Sequence, residues 1–320
     1  MKSYLINQND AGQRVSKFVE KTVPALPPSL LYKYFRLKRI KLNKKRCQPQ
    51  DRLQEGDLVE LYINDEFFGE GRQDLAFLKV PDKLTIIYED ENILLVDKKP
   101  GLVVHEDDDN TPDTLINRIL HYLYNKGEYN PQAEQSFVPA LCNRIDRNTG
   151  GIVIAAKNAQ ALRILNQKVK DRELQKLYLC LVHGVPNPPS ATLHDYLIKD
   201  SQRNQVRILK KQVPGSRTVI TRYRTLKTNG KVSLLEVDLI TGRTHQIRAH
   251  MASIGCPILG DSKYGNNTAN RELKLKYQAL CAWELTMPRF NQPDFEFLSG
   301  KTFRAPKPWY YSQVLDGTLK

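Results

Sequence analysis

A charged loop that runs directly into an apolar strand is the feature that most constrains this chain. The segment reads LCNRIDRNTGGIVIAAK, with Asp146 between Arg144 and Arg147 ahead of a Thr-Gly-Gly turn. The apolar run at 152–156 is typical of a buried strand, and Asn158 is placed to cap a helix after it. The loop is therefore predicted to be anchored to rigid secondary structure, where a functional site needs to be.

The two arginines decide what the carboxylate of Asp146 can do. Nearby positive charge favours the ionised form of an acid, and arginines also bind phosphate. Alternating charges in a loop are equally typical of a solvated surface without function. The anchoring of this loop favours the functional interpretation, which is acid chemistry on a polyanion.

Four separated blocks resemble the RluA family of pseudouridine synthases. NRIDRNTGGIVIAAKN is similar to the family signature, usually written HRLDRDTSGLLLxAK. Residues 84–105 resemble the opening hairpin with its Lys-Pro-Gly turn, and residues 176–184 resemble the strand that carries the active-site tyrosine. Residues 239–265 are similar to the family's third motif, and the blocks occur in the family's order.

The resemblance implies roles for three residues. Asp146 would be the catalytic aspartate, which either attacks the sugar or assists the departure of uracil. Tyr178 would stack on the target uracil and is a candidate base for the C5 proton. Arg248 would pair with Asp146 and keep it ionised. From spacing alone, Tyr178 can equally be a core tyrosine and Arg248 an exposed surface residue.

Three further residues are implied to contact the substrate. Ile247 would pack against the base, with an ordinary core position as the alternative. Arg144 would enter the space that the flipped nucleotide leaves, and Arg147 would bind phosphate. The chain departs from the family pattern at Asn143, where histidine is usual, and at Gly150, where serine is usual. These changes put in question how the loop is braced.

The resemblance also predicts the architecture. The expected fold class is α+β, a pseudouridine synthase fold with a mixed, mostly antiparallel sheet and a central cleft. Residues 1–63 resemble the small α+β RNA-binding domain named after ribosomal small-subunit protein four, residues 64–83 are predicted to be a linker, and residues 84–320 are predicted to form the catalytic domain.

The charge distribution predicts a nucleic acid partner. The net charge is +14, and residues 31–46 carry eight basic residues, with aromatics interleaved and no acid. An amphipathic helix that buries Leu30, Tyr34 and Leu37 would account for the apolar members. The predicted RNA-binding cations are Lys33, Arg36, Lys38, Arg39, Lys44, Lys45 and Arg46.

Other classes of protein are less compatible with the sequence. Five dispersed cysteines without a Cys-x-x-Cys pair indicate neither a disulfide framework nor a zinc site. No apolar stretch is long enough for a membrane span, and the N-terminus does not resemble a signal peptide. We therefore expect a cytoplasmic protein, a monomer by default, with no metal, cofactor or membrane partner.

Three functional hypotheses follow. The first is an RNA pseudouridine synthase acting on 23S ribosomal RNA, with transfer RNA as an alternative substrate. The second is a non-catalytic RNA-binding or ribosome-assembly protein on the same fold. The third is a glycosidase or metal nuclease that would use the acids of residues 106–109. Consecutive acids are more typical of a solvated loop, so this hypothesis ranks last.

Overall fold

The structure is a computed structural model that describes residues 1–68, 75–106, 111–200, 205–272 and 274–315. In these ranges the chain forms two separate sheets, one of four strands and one of eleven. Asp107, Asp108 and Asp109 of the acidic run lie outside the described residues.

The N-terminal sheet is small and carries two helices. Its elements are β1 (Lys2–Leu5), α1 (Val15–Thr22), α2 (Pro28–Arg36), β2 (Ile40–Leu42), β3 (Lys45–Arg46) and β4 (Leu58–Leu61). The strand order is β1-β4-β2-β3, and every pairing is antiparallel. Helix α1 buries Val15, Phe18 and Val19, which recur at helical spacing and therefore face the sheet together.

A tight hairpin turn projects cations from this sheet. Asn43 and Lys44 connect β2 to β3, and both have positive φ angles, 51° and 65°. Positive φ at both central residues is the requirement of a two-residue type I′ turn. The Asn43 side chain donates to Asp57 Oδ1 at 2.8 Å and accepts from the Leu58 amide at 2.8 Å. These bonds anchor the turn to β4.

The predicted linker carries two short 3-10 helices, Asp65–Phe68 and Ala76–Lys79. Phe67 and Phe68 pack against the N-terminal core. Phe77 is buried in the core of the large sheet. The apolar residues of this segment thus contact the N-terminal core at one end and the large-sheet core at the other.

The large sheet holds the rest of the chain. Its elements are β5 (Ile86–Glu89), β6 (Ile93–Lys98), α3 (Leu115–Asn125), β7 (Ala140–Leu141), β8 (Gly150–Ala156), α4 (Ala159–Lys170), β9 (Gln175–His183), β10 (Ser190–Asp200), β11 (Gln205–Leu209), β12 (Arg217–Thr228), β13 (Val232–Leu239), α5 (Gln246–Ser253), α6 (Asn267–Glu272), β14 (Leu280–Thr286), α7 (Pro293–Glu296), β15 (Thr302–Arg304) and α8 (Trp309–Leu315).

The strand order is β11-β10-β12-β13-β9-β14-β8-β6-β5, with β15 paired to β14 and β7 paired to β8. Strand β14 runs parallel to β8, and the other described pairings of this sheet are antiparallel. The predicted α+β class with a mixed, mostly antiparallel sheet is therefore confirmed. The helix predicted after Asn158 is α4, and Asn158 is its N-cap.

Helices cover both faces of the sheet, which explains why its central strands are apolar on both sides. Tyr178 and Cys180 of β9 face the core shared with α3 and α5. Leu179 and Leu181, one residue out of phase, face the core that contains α8. Helix α4 packs on the second face beside β8, where Leu165 is fully buried.

The loop between β1 and α1 contacts the part of the chain that forms the large sheet. Asn9 donates to Glu134 at 2.9 Å, and Arg163 of α4 donates to the Ala11 carbonyl at 3.0 Å. Asp10 is fully buried at this contact. These bonds hold the N-terminal part of the chain against the part that forms the large sheet. Isolated polar residues have no periodicity, so this contact could not be predicted from the sequence.

Candidate active site

The loop that carries Asp146 is fastened at both ends. Before Asp146, the Asn143 side chain accepts from the Ile154 amide of β8 at 2.8 Å. After it, the Thr149 amide donates to the Asp146 carbonyl at 3.0 Å and closes the turn into β8. Asn143 therefore braces the loop in this chain, which answers the question raised by its departure from the family pattern. The Asp146 side chain is 26% exposed.

Gly151 lets β8 lie against β14 directly below the loop. Its φ is +108°, and an added Cβ would lie 2.1 Å from the Ala282 carbonyl oxygen. Both the backbone conformation and the close approach require glycine. The second residue of the Gly-Gly pair is thus explained by its backbone conformation and its packing.

A buried lysine supports the loop from β6. Lys98 is 1% exposed, and its Nζ donates to the carbonyls of Lys99, Leu102 and Arg147 at 3.1, 2.7 and 2.8 Å. Burial lowers the pKa of Lys98 to about 7, although the negative charge of Asp146 opposes this. Lys98 lies within residues 84–105, which resemble the family's opening hairpin, but it was assigned no role from the sequence. The signal that the sequence offered for Lys98 was its position at the end of an apolar strand.

Arg248 joins the loop to the rest of the site. It is 5% exposed on α5, and its Nη1 donates to Asp146 Oδ2 at 2.8 Å. Its Nε and Nη2 donate to the two carboxylate oxygens of Asp261 at 2.7 and 2.9 Å. Burial alone would lower the pKa of Arg248, but the two carboxylates outweigh burial and raise it. One guanidinium therefore holds two acids.

Asp261 is the third member of the cluster that it forms with Asp146 and Arg248. It is fully buried and also accepts from the amides of Lys263 and Tyr264 at 2.8 and 3.1 Å. Burial would raise the pKa of this carboxyl, but Arg248 and the two amides outweigh burial and lower it. Asp261 lies within the third motif, and its side chain was not assigned a role from sequence. A single acid in a loop gives no pattern that would have found it.

Tyr178 lies on the same face of the sheet as the cluster. It is 6% exposed, and its hydroxyl makes no hydrogen bond with any described residue. A core tyrosine normally has a partner for its hydroxyl, so the interpretation as an ordinary core residue is weakened. Burial, and then the charge of Asp146, raise the pKa of Tyr178 well above its usual value. Ile247 is buried in the same core.

The remaining predicted substrate contacts, Arg144 and Arg147, flank Asp146 in the loop. Arg144 and Arg147 are both exposed. The Nε of Arg147 donates to the Gly101 carbonyl at 3.3 Å. The structure thus brings Asp146 and Arg248 into direct contact, places Tyr178 and Ile247 in the adjoining core, and leaves the two arginines at the surface.

The predicted RNA-binding cations are also at the surface. In α2 and at its C-cap, Tyr34 is buried as expected, but Leu37 is 53% exposed and Tyr32 is 49% exposed. The expected apolar face fails at Leu37 because α2 ends at Arg36 and Leu37 is its C-cap. The exposed cations are Lys33, Arg36, Lys38, Arg39, Lys44, Lys45 and Arg46.

Comparison with known proteins identifies the family. The model of a family described as RNA pseudouridylate synthase matches residues 92–253. An uncharacterized RNA pseudouridine synthase of Mycoplasma genitalium is 34% identical over 316 residues, which cover 96% of this chain and 97% of that protein. Ribosomal large subunit pseudouridine synthase C of Buchnera aphidicola is 32% identical over 279 residues, 85% of this chain and 83% of the relative. The Escherichia coli protein of the same name is 29% identical over the same length.

A solved structure supports the same fold. Human RNA pseudouridylate synthase domain containing 4 superposes with a TM-score of 0.56 at 21% identity, over 72% of this chain and 92% of that one. The fold and the sequence relationships define an RNA-modifying isomerase. The chain belongs to the RNA pseudouridylate synthase family. Within the described ranges, no helix combines the length and apolar composition needed to cross a bilayer.

The buried cluster predicts a stability effect for Asp261→Asn. Removing this charge leaves Arg248 only partly compensated, so the free energy of unfolding should fall by about 3–5 kcal/mol at pH 7. The folded-state pKa of Asp261 is depressed, so its contribution is present above the unfolded value and is lost as the pH falls through the folded one. The difference between the variant and wild type should therefore shrink below about pH 4. Urea unfolding at several pH values measures this.

Glu236→Gln is the matched control for this prediction. Glu236 also pairs with an arginine, Arg224, at 2.7 Å, but that arginine side chain is 65% exposed. Such surface pairs contribute about 0–1 kcal/mol. Equal losses in the two variants would contradict the importance of the buried cluster.

Proposed function

We propose that this chain converts specific uridines of 23S ribosomal RNA to pseudouridine, with Asp146 as the catalytic carboxylate. The observation that carries the proposal is the asymmetric environment of Asp146. Arg248 binds Oδ2, whereas Oδ1 has no hydrogen-bond partner among the described residues. A carboxylate oxygen without a partner, in a fastened and partly exposed loop, is suited to reach a substrate carbon.

The reaction exchanges one bond for another within the nucleotide. The bond between ribose C1′ and uracil N1 breaks, and a bond between C1′ and C5 forms. C5 loses a proton and N1 gains one, so the product is an isomer. Asp146 either attacks C1′ or assists the departure of uracil. Both routes need an ionised carboxylate, which the charge-assisted bond from Arg248 stabilises.

Tyr178 is proposed to stack on the target uracil. Its ring is buried among apolar side chains beside Asp146, while its hydroxyl has no partner among the described residues. The raised pKa disfavours a phenolate, so stacking by the neutral ring is better supported than the alternative role as base for the C5 proton. Ile247, buried in the same core, is proposed to pack against the base.

The two loop arginines are proposed to handle the rest of the nucleotide. A base must leave its stack before this chemistry. Arg144 is exposed two residues before Asp146, which suits a side chain that fills the vacated space. Arg147 is exposed on the other side and is proposed to bind phosphate.

Two observations support ribosomal RNA as the substrate. The relatives from Buchnera aphidicola and Escherichia coli are named for the ribosomal large subunit. The N-terminal part of the chain, proposed to be an RNA-binding domain, presents all seven predicted cations at its surface. Clustered cations favour a phosphate-rich partner through counterion release.

The test compares wild type with Asp146→Asn on 23S ribosomal RNA, large-subunit precursor particles and total transfer RNA. Pseudouridine is mapped by carbodiimide modification and primer extension. We expect wild type to modify discrete sites in ribosomal RNA, and Asp146→Asn to lose about 10³-fold or more in rate, as expected when a reacting group is removed.

The control is Asp238→Asn, which alters a carboxylate on β13 whose contact with Arg222 is a loose 3.8 Å. It should retain activity. Full activity in Asp146→Asn would contradict the proposed catalytic role and favour a different carboxylate. Modification of transfer RNA alone would replace the proposed substrate, and no modification by wild type would favour a binding protein.

A second prediction concerns the hairpin turn. Lys44, Lys45 and Arg46 are exposed, so replacing all three with alanine should weaken RNA binding. It should also reduce the slope of log Kobs against log salt by about 2, at about 0.7 for each phosphate contacted on single-stranded RNA. Filter binding over a salt series measures the slope.

The charge-matched control replaces Arg289, Lys301 and Lys307, which are exposed in the C-terminal segment. This triple variant loses the same charge at a different surface and should keep the wild-type slope. Equal slopes for the two triple variants would mean that net charge alone, and not the hairpin, drives binding.

A further inference from the structure

His245 has an unusual position immediately before α5. Its φ is +53°, a left-handed conformation that is uncommon outside glycine and costs about 1 kcal/mol. The conformation turns the imidazole toward the loop that carries Asp146. Its Nε2 lies 3.9 Å from Asp146 Oδ2, and its Nδ1 lies 3.0 Å from the hydroxyl oxygen of Tyr264.

The hydrogen bonds around Tyr264 determine which imidazole nitrogen carries the proton. The Val206 amide of β11 donates to the Tyr264 oxygen at 2.8 Å. The hydroxyl proton then has one acceptor among the described residues, His245 Nδ1. The opposite arrangement would leave this half-buried hydroxyl proton without an acceptor, which is costly. Nδ1 is therefore the acceptor, and the proton of neutral His245 sits on Nε2, facing Asp146.

We propose that His245 is a positioning residue for Asp146, and that Val206 and Tyr264 hold it as the Nε2-protonated tautomer. The proposal rests on the proposed catalytic role of Asp146. Arg248 and His245 both approach Oδ2. A small closure on substrate binding would bring Nε2 within hydrogen-bond range, fix the carboxylate plane between two donors, and direct Oδ1 at the ribose.

The charges around His245 decide its protonation. Asp146 on the catalytic loop and Asp261 favour a proton, whereas Arg248 on α5 and Lys263 oppose it. Burial is the largest influence, and the pKa of His245 is lowered. The neutral form therefore prevails at neutral pH. Protonation would put N–H groups on both ring nitrogens, so Nδ1 could no longer accept from Tyr264.

The direct test is the tautomer of His245, read from ¹⁵N chemical shifts of the histidine-labelled protein without RNA. Wild type should show protonated Nε2 and unprotonated Nδ1, and Tyr264→Phe should lose this preference. Tyr264→Phe keeps the ring that contacts the His245 ring edge-on and lies under Arg248. Tyr223→Phe is the control, since it removes a comparable hydroxyl bond, 2.9 Å to the Pro188 carbonyl.

Single-turnover pseudouridylation tests the consequence. Tyr264→Phe should be about five- to tenfold slower than wild type, the loss expected for one hydrogen bond, and Tyr223→Phe should not be.

His245→Gln can place an amide N–H where Nε2 lies and should retain more rate than the shorter His245→Asn. Asparagine tolerates the left-handed backbone, so His245→Asn should fold.

The outcomes separate this proposal from the catalytic role of Asp146. A proton on Nδ1 in wild type would overturn the tautomer assignment, even if Asp146→Asn is inactive. The expected tautomer with equal rates for Tyr264→Phe and Tyr223→Phe would overturn the positioning role. An active Asp146→Asn variant would overturn the catalytic role itself, while the ¹⁵N result would still stand.

Discussion

The interaction on which this site depends is the sharing of one guanidinium between two carboxylates. Arg248 binds Asp261, which is fully buried, and Asp146, which is partly exposed. Burying an arginine is unfavourable unless it is paired and hydrogen-bonded. Asp261 supplies that pairing inside the protein. The remaining donor of Arg248 then binds the partly exposed carboxylate of Asp146, so a structural ion pair also orients the proposed catalytic group.

The rest of the fold keeps the two acids in register. The Asp146 loop belongs to β8, whereas Arg248 belongs to α5, and β9 and β14 lie between β8 and β13 in the sheet. Gly151 allows the close approach of β14, and Lys98 ties three carbonyls beside the loop. Buried groups in such dense packing have few alternative positions. The geometry at Asp146 is therefore set by the sheet.

Much of this was predictable from sequence, for identifiable reasons. The apolar runs and the cap at Asn158 carry local periodicity, so the elements around Asp146 could be placed, and motif resemblance singled out Arg248 as its partner. Asp261 and Lys98 could not be assigned roles, because a lone charged residue gives no sign of whether it will be buried. Leu37 was misplaced because helical spacing does not report where a helix ends. The contact through Asn9 and Glu134 joins residues 125 positions apart and leaves no local trace.

The central claim is that Asp261 influences the chemistry only through Arg248. A double-mutant cycle of single-turnover pseudouridylation rates tests it, with Arg248→Lys, Asp261→Asn and the double variant, each measured on the folded fraction. Lysine cannot bridge two carboxylates in the same way. If the claim holds, both single variants are slow and the double variant is within about twofold of Arg248→Lys, so the effects are strongly non-additive. A double variant whose loss equals the product of the two single losses would contradict it.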